Sequence, residues 1–146
     1  MQIRQAQKSD LPALLTLYTQ FRGTPVPVID QRITDIWEQI LADKNHHVLV
    51  GTADGAIVSS CVLLIVPNLT NGQRPYALIE NVITDEAHRK KGYASALLEH
   101  AKSIAKAANC YKVMLLTGSK LQSTLSFYER AGFNRSDKTG FVLWFD

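Results

Sequence analysis

Scarcity of cysteine is the first constraint: the chain holds two, Cys61 and Cys110, with neither CxxC nor Cys/His metal spacing. A disulfide framework and a zinc site are therefore not expected, and both thiols, set in apolar runs, are read as buried and reduced. The adjacent pair His46-His47 would point to opposite faces of a strand rather than converge on a metal, so no metal site is expected. No apolar run reaches the roughly 18 residues needed to span a bilayer. The first ten residues turn polar at Lys8-Ser9-Asp10, leaving no room for the apolar centre of a signal peptide, and a cytoplasmic location follows as the expectation. Internal repeats and low-complexity stretches are missing. So are the phosphate-binding patterns GxxxxGK[ST] and GxGxxG.

What is present suits a folded core: 46% of the 146 residues are hydrophobic and 20% charged, which excludes a disordered chain and fits one domain over 1–146. The formal net charge of +3 is unevenly divided. Residues 1–73 carry 5 Lys+Arg against 6 Asp+Glu, and residues 74–146 carry 11 against 7. The longest basic run is His88-Arg89-Lys90-Lys91, with no basic helix or basic-aromatic stripe beside it. Neither a nucleic-acid nor a membrane partner is expected from so small an excess; a small phosphorylated ligand fits it equally well.

Periodicity predicts the order β, α, α, β, β, β, α, β, α, β, β. A short strand at Gln2–Ala6 precedes a helix from Ser9 or Asp10 with Leu11, Leu14, Leu15, Tyr18 and Phe21 at helical spacing. A second helix is expected from Asp30 to Asp43. Strands Val48–Ala53 and Ala56–Val66 flank Asp54-Gly55, a dipeptide suited to a tight hairpin. After a turn-rich loop between Pro67 and Pro75 come a buried strand at Tyr76–Thr84, a long helix from Tyr93 to Ala108 and a strand at Tyr111–Thr117. Ser119 and Gln122 form a capping-box pattern opening a helix to Arg130. Phe133–Arg135 and Gly140–Phe145 read as a final strand pair. The result is an α/β mixed sheet of about seven strands with four helices on its two faces.

The junction between strand Tyr76–Thr84 and the long helix carries the chemistry. A helix start offers amides without intrahelical partners and a positive dipole end, Gly92 allows close backbone approach, and Arg89, Lys90 and Lys91 add charge. The predicted ligand is a phosphate or pyrophosphate; the plainer alternative is a solvated basic turn. Arg89-x-x-Gly92-x-Ala94 after a buried strand resembles the Arg/Gln-x-x-Gly-x-Gly/Ala loop of the GNAT superfamily of N-acetyltransferases. The element order agrees over nearly the whole chain, and Phe127-Tyr128-Glu129-Arg130-Ala131-Gly132-Phe133 is similar to that family's Phe-Tyr-Glu-x-x-Gly-Phe segment. Ile79-Glu80-Asn81-Val82 and Asn109-Cys110-Tyr111-Lys112-Val113 also resemble the glucosamine-6-phosphate N-acetyltransferase branch. Leu121 departs from the Asn that many members carry.

The resemblance implies acetyl-CoA as cosubstrate, with its pyrophosphate on the backbone of Arg89, Lys90, Lys91, Gly92, Tyr93, Ala94 and Ser95. Its pantetheine arm would lie along Val82, Ile83 and Thr84 as an added strand. Glu80 then becomes the candidate base for an acceptor ammonium, a backbone N–H near Val82 the donor to the developing oxyanion, and Tyr128 the acid for the departing thiolate. Strict alternation puts Glu80 on one face with Tyr76, Leu78 and Val82, and Asn81 on the other; Glu80 and Tyr128 each have a structural alternative, as a paired carboxylate and a core aromatic. The expected activity is acetyl transfer to a primary amine of a small molecule. A catalytically silent acyl-CoA-binding domain and a protein N-terminal or lysine acetyltransferase are the alternatives. Arg22, Arg32 and Arg74, in or beside the irregular segments, offer charge to an anionic acceptor or remain solvated surface. The terminal run Phe141–Phe145 either completes the protein's own sheet or pairs with a second subunit, so a homodimer is open.

Overall fold

The computed structural model describes all residues, 1–146. Five strands form one sheet in the order β1-β2-β3-β4-β5: β1 Gln2–Gln5, β2 His46–Ala53, β3 Ala56–Val66, β4 Tyr76–Thr84 and β5 Val113–Leu115. Four α-helices accompany it: α1 Leu11–Tyr18, α2 Gln31–Ala42, α3 Tyr93–Ala107 and α4 Gln122–Arg130. All neighbours are antiparallel except β4 and β5, which run parallel and pair over Ala77–Ile79 against Val113–Leu115.

The central strands are rich in apolar residues on both faces because both faces are covered over most of their length. One face of the sheet gives Leu49, Cys61, Leu63, Ala77 and Ile79 to a core completed by Leu97, Leu98, Ala101 and Ala105 of α3. The other gives Val48, Val50 and Val62 to a core with Leu14 of α1 and Trp37 of α2. Hairpin β2–β3 turns at Asp54 and Gly55 with φ of 50° and 81°, the left-handed pair that such a two-residue turn requires. Asp30 caps α2, its carboxylate accepting from Ile33 N–H at 2.9 Å. No helix is long and apolar enough to cross a membrane.

Three expectations need correction. The sheet has five strands, not about seven, since neither Phe133–Arg135 nor Gly140–Phe145 forms one. Neither open edge of the sheet, at β1 or at β5, takes up either segment; β5 stops at Leu115, and Gly140 comes up against the side chain of Leu116 without a ladder forming. Phe141 to Phe145 consequently stay 58–94% exposed. Asp10, one of the two residues expected to cap α1, stands at its N-cap, but its carboxylate binds Arg4 in a bidentate pair at 2.6 and 3.1 Å and accepts from Gln7 N–H rather than from an α1 amide. The Ser119–Gln122 capping box is absent too: Ser119 Oγ donates to Thr124 Oγ1 and accepts from Leu121 N–H, while Gln122 bonds Ser126.

Candidate functional site

Two departures of β4 from a regular strand build the site. The first is a bulge. Glu80 pairs with Val62 and Ile83 with Ser60, so Asn81 and Val82 together oppose the single residue Cys61. Asn81 takes φ 52°, a left-handed conformation that Asn tolerates better than most side chains. The expected alternation is therefore wrong from this residue on. Asn81 lines the same cavity as Glu80, on the α1/α2 side of the sheet. Val82, expected beside Glu80, packs against the α3 core instead.

The second departure is a fork. Because β5 ends opposite Ile79, β4 from Glu80 to Thr84 has a neighbour on one side only, and its other edge is unpaired. The end of this open stretch is tightly held. Ser59 Oγ donates to the carbonyl of Ile83 and meets Thr84 Oγ1, both at 2.8 Å, and Arg89 Nε donates to the carbonyl of Thr84 at 3.3 Å. Beyond it, Gln20 clamps the turn, donating to Asp85 and accepting from Glu86 N–H. His88 bonds Asp85 at 2.6 Å, and this contact, followed by that of Gln20, holds the Asp85 carboxyl below its ordinary pKa.

The loop into α3 then presents its backbone. Lys90 and Gly92 have φ of 61° and 83°, and Gly92 is the residue just before the helix. None of the amides from Lys90 through Lys91, Gly92, Tyr93 and Ala94 to Ser95 donates to a backbone carbonyl. Successive amides in alternating right- and left-handed conformations form anion-binding concavities, and a helix start adds its dipole. A pyrophosphate fits this donor set. The side chain of Lys91 turns back to the carbonyl of Ala87, and Arg89 to that of Thr84. Those two cations thus brace the loop while its amides stay free.

Glu80 and Tyr128 lie on opposite sides of the sheet. The exposed Glu80 faces the α1/α2 cavity. Tyr128 packs edge-on to Phe127 and Phe133 against the α3 core that also receives Val82. Burial pushes the Tyr128 phenol above its ordinary pKa, so at neutral pH it keeps its proton. Cys61, beside the bulge, is pushed up to about 12 by burial and is an inert thiol.

The three arginines divide. Arg74 is spent on the carbonyls of Asn109 and Cys110 at 3.1 and 3.0 Å, and neither Arg22 nor Arg32 lines the cavity at Glu80. Sequence reasoning missed Asn81, whose only signal was its tolerance of positive φ, and Ser59 and Gln20, which act on the site through distant pairings that a sequence does not display.

Comparison with known proteins identifies the family. The family model for the acetyltransferase (GNAT) family matches residues 11–133. A glucosamine 6-phosphate N-acetyltransferase of Trypanosoma brucei brucei is 30% identical over 144 residues, 94% of this chain and 92% of that protein. A protein of Agrobacterium tumefaciens str. C58 assigned as an acetyltransferase superimposes with TM-score 0.92 at 42% identity, covering 99% of both chains. A structure described as a transcriptional regulator from Bacillus halodurans C-125 superimposes with TM-score 0.87 at 26% identity, over 98% of this chain and 99% of that one. With a matched family model spanning most of its length, the chain belongs to the acetyltransferase (GNAT) family and is an acetyl-CoA-dependent N-acetyltransferase.

Proposed function

We propose that this protein transfers the acetyl group of acetyl-CoA to a primary amine of a small molecule by direct attack of the amine on the thioester. The observation that carries this reading is the fork: β4 is unpaired along one edge from Glu80 to Thr84, and that edge leads to the free amides of Lys90–Ser95. An extended amide-bearing arm can lie along Val82, Ile83 and Thr84 as a strand would, with its pyrophosphate on the loop. When bound, acetyl-CoA supplies an activated acyl carbon and a thiolate leaving group.

The chain's own groups do the rest. Glu80 takes the proton from the acceptor ammonium, directly or through one water, on the α1/α2 side. The bulge turns backbone at Asn81 and Val82 out of the regular ladder, leaving an N–H near Val82 to donate to the oxygen that gains charge. Tyr128, protonated and on the α3/α4 side, donates to the departing sulfur. Acceptor and leaving group are thereby served from opposite faces of one strand, and holding the two reactants at this fork removes much of the entropic barrier.

Thiol release from acetyl-CoA over a panel of primary amines tests the reading, with Glu80→Gln as the variant. Turnover of at least one amine is expected, with the Glu80→Gln rate lowered and its pH dependence between 6 and 9 flattened. A Glu80→Gln rate within twofold of the parent across that range refutes the base assignment. Acetyl-CoA binding without turnover of any amine refutes the transferase reading and supports a silent binding domain.

A further inference from the structure

The cavity above Glu80 has an unusual wall. It measures about 450 Å³, within the range of small-molecule sites, and lies between α1, α2 and the sheet. Eleven of its fourteen lining residues are hydrophobic, and the other three are His46, Glu80 and Asn81. Its two large aromatic walls have already used their polar tips. Trp37 Nε1 donates to the carbonyl of Lys8 at 3.1 Å, and the Tyr18 hydroxyl meets Ser60 Oγ at 3.3 Å. What they present to the cavity is hydrocarbon.

Helix α2 is also left partly uncovered. Of its apolar side chains only Trp37 is buried, and Ile36 remains 45% exposed. No lysine or arginine lines the space. Lys8 is paired with Glu38 and Arg4 with Asp10, and Lys44 belongs to a separate, smaller cavity shared with Asp43. A phosphorylated acceptor would bring a dianion beside a carboxylate without a counter-charge, and a bare sugar would bury hydroxyls without partners.

We propose that the acceptor is a primary amine on an apolar body, an alkyl- or arylalkylamine, with its ammonium on Glu80 and its hydrocarbon between Tyr18, Ile36, Trp37 and Leu64. The charge complementarity is specific: one carboxylate at the β4 end of an apolar slot matches one cation at the end of an apolar ligand. This rests on the reading of Glu80 as the base, and it assigns to this chain an acceptor class different from the phosphosugar in the name of its trypanosomal relative.

The test is kcat/KM for propylamine through hexylamine and for glucosamine 6-phosphate at saturating acetyl-CoA, in the parent and in Ile36→Lys. Each added methylene should raise kcat/KM about fourfold, with hexylamine at least tenfold above the phosphosugar. Ile36→Lys, at a partly exposed position that should not disturb folding, should lower hexylamine kcat/KM at least tenfold with acetyl-CoA affinity unchanged. A flat series, or a phosphosugar preferred over hexylamine, overturns the acceptor assignment while the transferase reading stands. Calorimetric titration of hexylamine into the protein without coenzyme separates the two readings when no amine is turned over. Saturable binding weakened by Ile36→Lys supports the apolar slot independently of catalysis, and absence of binding overturns it.

Discussion

Replacing Gly92 by valine tests whether the loop before α3 holds the coenzyme. Gly92 sits at φ 83°, and a Cβ there would meet nothing within 4 Å. Any effect must therefore come from the backbone rather than from a clash. A β-branched residue in the left-handed region carries about 2 kcal/mol of strain. The loop is braced only through the side chains of Arg89 and Lys91 and through the Gly92 carbonyl, which accepts from Ala96 N–H, while the amides of Lys90–Ser95 have no backbone acceptors to hold the turn itself against that strain. The free variant should relax, and binding must then restore the left-handed turn, weakening acetyl-CoA by about thirtyfold. Gly72→Val is the matched control, with φ 69° and open space around it, in the loop before β4 at the strand's far end. Both variants should keep Tm within about 4 °C of the parent, and isothermal titration should show the loss of affinity in Gly92→Val alone. An acetyl-CoA Kd for Gly92→Val within threefold of the parent, or an equal loss in Gly72→Val, refutes the loop as the coenzyme cradle.

Tyr128→Phe keeps the ring against Phe127 and Phe133 and removes only the donor, so acetyl-CoA affinity and Tm should hold while turnover falls on the order of 100-fold; full turnover in a steady-state assay rejects the acid role. Asp10→Asn breaks the bidentate pair with Arg4 and should lower unfolding stability by about 2 kcal/mol in urea. Its pH dependence has a definite sign. The hydrogen bond from Arg4, first among the causes, lowers the Asp10 pKa in the folded state. The contribution is thus complete above the ordinary carboxylate value of about 3.9, is lost as pH falls through the lowered value, and is missing from the acid limb of the variant. The exposed run Phe141–Phe145 includes three aromatic side chains, each worth roughly 150–250 Å² when covered. Two copies covering each other through these side chains would bury about 900–1,500 Å², a span that reaches the size of a stable interface. Sedimentation should show self-association that deletion of 140–146 abolishes, and a monomer at about 100 μM would rule it out.

The elements that periodicity places well are those whose apolar residues are the ones the fold buries. Strands β3 and β4 are mostly apolar segments bounded by turn residues, broken only by Ser59-Ser60 and Glu80-Asn81, and α3 buries the stripe Leu97, Leu98, Ala101 and Ala105, so local pattern and tertiary environment agree. The element limits and contacts that differ are those set by a distant partner. β5 shrinks from the expected Tyr111–Thr117 to Val113–Leu115 because β4 diverges from it, and divergence belongs to a pair of strands, not to either one. The terminal run reads as strand by composition, yet composition does not specify the edge it would pair with. The Asp10 carboxylate is drawn away from capping α1 by Arg4, six residues back.

The bulge at Asn81 is the deepest of these differences, because it reassigns function as well as geometry. On a regular β4, Glu80 would share its face with Val82 and Asn81 would turn toward α3, so the cavity would have one polar group from this strand. One extra residue opposite Cys61 places Glu80 and Asn81 together on the α1/α2 side, where the proposed acceptor lies, and sends Val82 to the α3 side. The same residue breaks the ladder where the parallel partner ends, which frees backbone at the point where, in the proposed reaction, the two substrates meet. A strand that kept its alternation would have to choose between them. Excising the extra residue, as a deletion of Asn81, should therefore restore the β3–β4 register without harm to the α3 core. Acetyl transfer should nevertheless be lost, with acetyl-CoA still bound at the loop and detectable by titration. Transfer retained at the parent rate in a folded deletion variant would show that the bulge is incidental to the chemistry.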